Sequence, residues 1–224
     1  LDILTFFRFL KDKKKAHYML AILIGIFLIF TLIVIIVPTS ILDVEFSEEI
    51  QEHNSPLLDT FMKAISWFGV TPVALCFVFG SALIFFLFRY RKEALFIIST
   101  LTVTLVTFGI KLLINRPRPT ADLVNIVEHA QHQSFPSGHT SFYVTFFGFI
   151  TFLMLRHPQI PREIRAAIIS LCVFLILSVP FSRIYLGAHW FTDVGAGFVL
   201  GVLVLYAIIR IYLYYKRRSG PEPE

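Results

Sequence analysis

Three short stretches of this 224-residue sequence hold residue types that do chemistry: "KLLINRPRP" at 111–119, "SFPSGHTSFY" at 134–143 and "SRIYLGAHWFTD" at 182–193. Together they supply Lys111, Arg118 and Arg183 as fixed cations, and His139 and His189 as proton carriers or nucleophiles. Asp193 follows His189 by four residues, a spacing that stacks the two side chains on one face if the segment is helical. A carboxylate there holds the imidazole tautomer and stabilises an imidazolium, leaving the other ring nitrogen free to attack. Three cations against one acid describe a site for a multiply charged anion, and phosphate is the obvious candidate. Pro136-Ser137-Gly138 leads into an apolar run, which places the N–H groups of Ser137, Gly138 and His139 at an expected helix N-terminus. Such groups lack intrahelical partners and carry the positive end of the dipole, which suits a phosphate. Gly138 is expected to admit a close backbone approach. Each piece alone has a plainer reading: a serine cap beside an incidental His, or a lysine snorkelling to an interface.

The elements that must position these groups are membrane helices. The chain is 56% hydrophobic with 25 Phe and only 16% charged residues, and its mean hydropathy is +0.75, well above the usual soluble range. Long apolar windows predict six spans at about 17–37, 70–88, 94–114, 139–155, 166–181 and 194–214. The first has too long an apolar core for a signal peptide and no small-residue cleavage site after it, so it is expected to be a retained anchor. Basic residues gather in alternate segments: Arg8, Lys11 and Lys13 to Lys15, then Arg89, Arg91 and Lys92, then Arg156, Arg162 and Arg165, then Lys216 to Arg218. Residues 38–69 hold Asp43, Glu45, Glu48, Glu49, Glu52 and Asp59 against a single Lys63. The positive-inside rule then puts both termini in the cytoplasm and the three motifs on the outer face of the plasma membrane. That asymmetry accounts for the net charge of +5 without a nucleic-acid partner. The organisation expected is a basic cytoplasmic segment 1–16, a six-helix membrane domain 17–214 and a cytoplasmic tail 215–224. Within the first outer loop, "SPLLDTFMKAISWFG" repeats apolar residues at helical spacing after a Ser55-Pro56 start. It reads as an amphipathic helix, lying in the interface or packed on the bundle.

Taken together, the three motifs resemble the signature of the type 2 phosphatidic acid phosphatase superfamily: Lys-x6-Arg-Pro, then Pro-Ser-Gly-His, then Ser-Arg-x5-His-x3-Asp. Lys111, Arg118 and Pro119, Pro136 to His139, and Ser182, Arg183, His189 and Asp193 meet every defining position. The resemblance implies an all-α, polytopic phosphatase in which His189 attacks phosphorus, giving a phosphohistidine, and Asp193 orients it. It implies that His139 protonates the leaving oxygen and later helps activate water. Lys111, Arg118, Ser137, Gly138 and Arg183 would hold the phosphoryl oxygens, with no metal or other cofactor. The short chain and compact loops look bacterial. Among the substrates of bacterial members, undecaprenyl diphosphate is the first expectation here, then phosphatidylglycerophosphate and phosphatidate.

Other features are weaker. His129 and His132 could contact a metal but lack an obvious third ligand, so a solvated or substrate-gating loop is the better reading. Gly197 and Gly201 form a GxxxG pair suited to close packing within the bundle. Trp67, Trp190 and Arg116 are expected to be interfacial anchors, and Cys76 and Cys172 small hydrophobes. No protein partner is expected. Two other classes compete. A vanadate-dependent haloperoxidase would share the anion site but is expected to be soluble. A non-catalytic lipid-phosphate binder or transporter would not require both His139 and the His189–Asp193 pair.

Overall fold

The computed structural model describes residues 13–218. They form nine helices and, among the described residues, no strand: α1 (Lys13–Ile36), α2 (Ile41–Gln51), α3 (Pro56–Trp67), α4 (Thr71–Leu87), α5 (Arg91–Ser99), α6 (Thr102–Ile114), α7 (Gly138–Arg156), α8 (Arg162–Tyr185) and α9 (Phe191–Arg218). Most of the expected segment 1–16, including Arg8 and Lys11, lies outside the described residues, as does the end of the tail.

Five helical stretches are long and apolar enough to cross a membrane: Lys14–Ile36, Arg91–Ile114, Gly138–Arg156, Arg162–Tyr185 and Phe191–Arg218. Thr71–Leu87 makes the sixth only together with Pro56–Trp67, to which it is bent by 49°. At 17 residues it is about 25 Å long, marginal for a hydrocarbon core of ~30 Å. The chain is thus a multi-pass membrane protein, with its lipid-facing surfaces built from side chains such as Leu28, Leu32, Leu83, Leu105, Leu171 and Leu177, all exposed.

The centre is α7. Thirteen of its 19 residues are buried, many of them aromatic, and α8 and α9 pack along it. The GxxxG pair explains how closely α9 approaches. A Cβ at Gly197 would stand 2.6 Å from the Ser137 carbonyl oxygen, and one at Gly201 would stand 2.9 Å from that of Ser141. Glycine is required at both for contact with a backbone.

Three features of the layout bear on function. The fifth span does not stop near 181: α8 continues through Pro180 to Tyr185 and carries Arg183 in its last turn. Pro180 removes one ladder hydrogen bond without ending the helix. The "SRIYLGAHWFTD" segment is therefore not one loop but the end of α8, a five-residue turn and the start of α9. Second, the acidic stretch 41–51 is a helix, opened by a capping box in which Ser40 and Asp43 satisfy each other's backbone N–H. Third, α3 begins at the Ser55 cap as expected, with Ser55 Oγ accepting from the Leu58 N–H. Its Ile65 and Met62 pack on the bundle core while Leu57 is 82% exposed, so it serves as wall and rim at once.

Candidate active site

His189 sits buried in the turn between α8 and α9. Its Nε2 lies 3.3 Å from Arg118 Nη1. Its Nδ1 lies 3.5 Å from Asp193 Oδ2 and 3.4 Å from Ser134 Oγ. Ser134 Oγ also donates to Asp193 Oδ2, and the Trp190 N–H donates to the same oxygen at 3.0 Å. The i,i+4 spacing thus brings the carboxylate to the imidazole as expected, and the Ser134 hydroxyl joins it there at nearly the same distance from Nδ1. With Nδ1 turned to these acceptors, Nε2 is the ring nitrogen left with a lone pair, and it faces the cations.

Lys111, in the last turn of α6, donates to the carbonyls of Gln133 and, at 3.1 Å, Ser134. Arg118 donates from Nε to the His132 carbonyl at 2.8 Å, from Nη2 to Gln131 at 2.7 Å, and from Nη1 to Ala188. Arg183 Nη1 donates to Ser66 Oγ at 2.5 Å and pairs with Glu128 Oε1 at 3.0 Å. Carbonyl dipoles and one carboxylate hold three like charges together that would otherwise repel. Burial, and then Arg118, Lys111 and Arg183, push the His189 pKa well below the usual imidazole range, so the ring is neutral at pH 7. Arg118 is itself drawn down to about 10, first by burial and then by Arg183, and keeps its charge.

His139, the second residue of α7, lays its ring against Gly69 at the α3–α4 turn. Its Nε2 is buried without a hydrogen-bond partner, and so is Arg183 Nε. Both are polar groups uncommitted within the protein. Ser137 behaves differently from the sequence expectation. Its N–H donates to the Asp193 carbonyl at 2.9 Å, and its Oγ caps α7 by accepting from the Thr140 N–H. The N–H groups left for an anion are those of Gly138 and His139, which head the helix. A Cβ at Gly138 would meet only Thr107 Cγ2, at 3.9 Å, so no protein neighbour demands glycine there.

Arg116 corrects a second expectation. It is no interface anchor: it is 2% exposed and lies behind Asp193. Nη1 contacts Asp193 Oδ1 and, at 2.7 Å, Thr192 Oγ1; Nη2 contacts Asp43 Oδ2 at 2.6 Å; Nε donates to the Pro38 carbonyl at 2.7 Å. Asp43 Oδ1 in turn accepts from the Thr192 N–H and hydroxyl at 3.0 and 2.9 Å. The default cost of a charge at the membrane edge was the signal available for Arg116, and the Ser40–Asp43 capping pattern was the one available for α2. Trp190, also expected at an interface, is 1% exposed. His129 and His132 are exposed, and the His132 carbonyl rather than its ring serves the site. Glu128, Ser66 and Ser134 had no signal of their own in spacing.

Among the described residues, no group of three His, Cys, Asp or Glu side chains converges on a metal position. The arrangement sets an imidazole nitrogen beside three cations and a helix N-terminus, a setting suited to a multiply charged anion.

The pattern defining the PAP2 superfamily matches residues 92–217, more than half the chain. Phosphatidylglycerophosphatase B of Bacillus subtilis (strain 168) is 30% identical over 161 residues, spanning 69% of this chain and 75% of that protein. Lipid A 4'-phosphatase of Porphyromonas gingivalis is 28% identical over 181 residues, spanning 73% and 70%. The fold resembles the crystal structure of a transmembrane PAP2-type phosphatidylglycerolphosphate phosphatase from Bacillus subtilis, with a TM-score of 0.74 and 22% identity over 92% of this chain and 100% of that one. On these grounds the chain belongs to the PAP2 superfamily, as a multi-pass membrane lipid phosphatase.

Proposed function

We propose that the enzyme removes phosphate from phosphatidylglycerophosphate or a closely similar lipid phosphomonoester, through a phosphohistidine on His189. The observation that carries this reading is the orientation of the His189 ring, with Nε2 3.3 Å from Arg118 and Nδ1 held by Ser134 and Asp193. Nε2 attacks phosphorus, the phosphorus–oxygen bond to the lipid breaks, and His139 gives its proton to the departing alkoxide. Water then attacks phosphorus and passes a proton to His139; the nitrogen–phosphorus bond breaks and inorganic phosphate leaves. Lys111, Arg118, Arg183 and the first N–H groups of α7 hold the phosphoryl oxygens throughout. Asp193 stabilises the ring as it gains positive charge.

Two relatives near 30% identity carry names of monoester phosphatases, one acting on phosphatidylglycerophosphate and the other on lipid A. That moves undecaprenyl diphosphate, the sequence expectation, behind a phosphomonoester. The basic segments after α4 and α7 and at the end of α9 support cytoplasmic termini and a site on the outer face of the cell membrane. A cysteine placed at exposed Asp122 and labelled from outside intact cells tests this; labelling only after permeabilisation reverses it.

The assay is phosphate release by purified protein in detergent with EDTA, across phosphatidylglycerophosphate, phosphatidate and undecaprenyl diphosphate. Phosphatidylglycerophosphate is expected to have the highest kcat/KM, and His189→Ala to abolish release. A higher kcat/KM for the diphosphate refutes the substrate; full activity in His189→Ala refutes the mechanism.

A further inference from the structure

The sequence signature ends at Asp193, and the family pattern begins only at residue 92, but the buried charges do not stop there. Behind Asp193 stands Arg116, and behind Arg116 stands Asp43 on α2, outside the matched region. All three are shielded from water. A buried carboxylate–guanidinium–carboxylate run is costly to desolvate and is often replaceable by apolar packing where stability alone is at stake. Nor does α2 need Arg116 to start, because Ser40 and Asp43 already cap it.

The geometry is instead specific to the reaction. Arg116 takes Asp193 Oδ1 and leaves Oδ2 to Ser134, Trp190 N–H and His189, so the carboxylate cannot turn away from the ring. One guanidinium facing one carboxylate would cancel much of its field. Asp43 supplies the second carboxylate, on the far side of the guanidinium.

We propose that Arg116 and Asp43 are positioning residues for catalysis: Arg116 fixes the Asp193 carboxylate, and Asp43 neutralises Arg116 so that the charge of Asp193 remains available to His189. This rests on the reading of His189 as nucleophile. The groups facing that ring are Arg118 from the 115–137 segment, Lys111 from α6, Arg183 from α8, His139 from α7, and Ser134 with Asp193. Glu128 opposes Arg183 at 3.0 Å, but Asp193 is the carboxylate in contact with the His189 ring itself, so its effective charge matters to an imidazolium-like state.

The test compares wild type, Asp43→Asn, Arg116→Gln and Arg116→Lys in detergent, measuring kcat and KM on a lipid phosphomonoester and the pH profile of kcat/KM. Asp43→Asn is expected to lower kcat about 10–100-fold, the usual scale for the partner of a ligating or reacting group, with KM near wild type. Its acid limb moves to lower pH, because losing a negative charge makes protonation of His189 harder. Arg116→Gln loses kcat similarly, and Arg116→Lys recovers part of that loss. A role confined to holding helices together would lower thermal stability and leave the acid limb of folded Asp43→Asn in place. Wild-type kcat in Asp43→Asn, or an acid limb that stays or moves up, overturns the proposal. If Asp43→Asn and Arg116→Gln do not fold, Arg116→Lys decides alone: a single nitrogen cannot reproduce the separate contacts of Nη1 with Asp193 and Nη2 with Asp43, so wild-type kcat there also overturns it. A wild type that releases no phosphate, or an active His189→Ala, would sink the phosphatase mechanism instead.

Discussion

Gly69 lies outside the signature, yet its replacement by alanine is predicted to disable the proton donor. A Cβ at 69 would stand 2.3 Å from His139 Cδ2, with Cγ and Nε2 both at 2.9 Å. Ordinary carbon–carbon contact is about 3.5–4.0 Å, so the ring must retreat by roughly 1 Å or more. The backbone at 69 is not in the left-handed region, so the glycine is there for space rather than for its φ. A reacting group misplaced by about 1 Å costs on the order of 10²-fold in rate. The loss should depend on the leaving group, because His139 matters only where the departing oxygen needs a proton. The assay is kcat for Gly69→Ala on a lipid alkyl phosphate and on p-nitrophenyl phosphate, whose phenolate leaves without one. A fall of about 10² on the first and little change on the second is expected, with His139→Ala as reference. Wild-type kcat on the lipid phosphate would refute the placement of His139. Equal losses on both substrates would show that the cation cluster, not the acid, had been disturbed.

Three further outcomes follow from the same geometry. Ser134→Ala removes the hydroxyl that touches both His189 Nδ1 and Asp193 Oδ2, so kcat should fall about 10-fold or more with KM little changed, measured in the phosphate-release assay. Because burial and three cations hold the His189 pKa well below the imidazole range, the unprotonated nucleophile persists under mildly acid conditions. The pH profile of kcat/KM should therefore keep activity below pH ~6.5 and fall only well under that value; an acid limb at the ordinary imidazole pKa would contradict the assignment. Gly197→Ala drives a methyl to 2.6 Å from the Ser137 carbonyl oxygen, a backbone atom that cannot swing aside. It should cost about 1–3 kcal/mol, read as a lowered Tm in detergent.

The spans were legible because lipid imposes a simple demand: a crossing helix satisfies its own backbone hydrogen bonds and shows apolar side chains outward. That is why 94–114, 139–155 and 194–214 all fall inside observed crossing stretches, the first of them made by α5 and α6 in succession. The window at 70–88 located α4, but its 49° bend from α3 was not legible, since the relation between two helix axes leaves no mark in hydropathy. The fifth window closes near 181 because Ser182 and Arg183 are polar, yet α8 continues past Pro180 to Tyr185 and brings Arg183 inward. For α2 hydropathy gave no sign, because an acidic stretch has no long apolar window, and the Ser40–Asp43 capping box was its local mark.

Residue identity and spacing alone determined which side chains are candidates for the chemistry: two histidines, one carboxylate and three cations near one end of a helical membrane bundle. Those depend on local periodicity and on the types of group a phosphate requires, both written along the chain. Tertiary structure alone decided the rest. It spent the Ser137 N–H on the Asp193 carbonyl, brought Ser134 beside both His189 and Asp193, and buried Arg116 between Asp193 and Asp43. Each is a contact between residues far apart in sequence, and such contacts have no period. They are settled only when packed helices leave buried polar groups to find their partners.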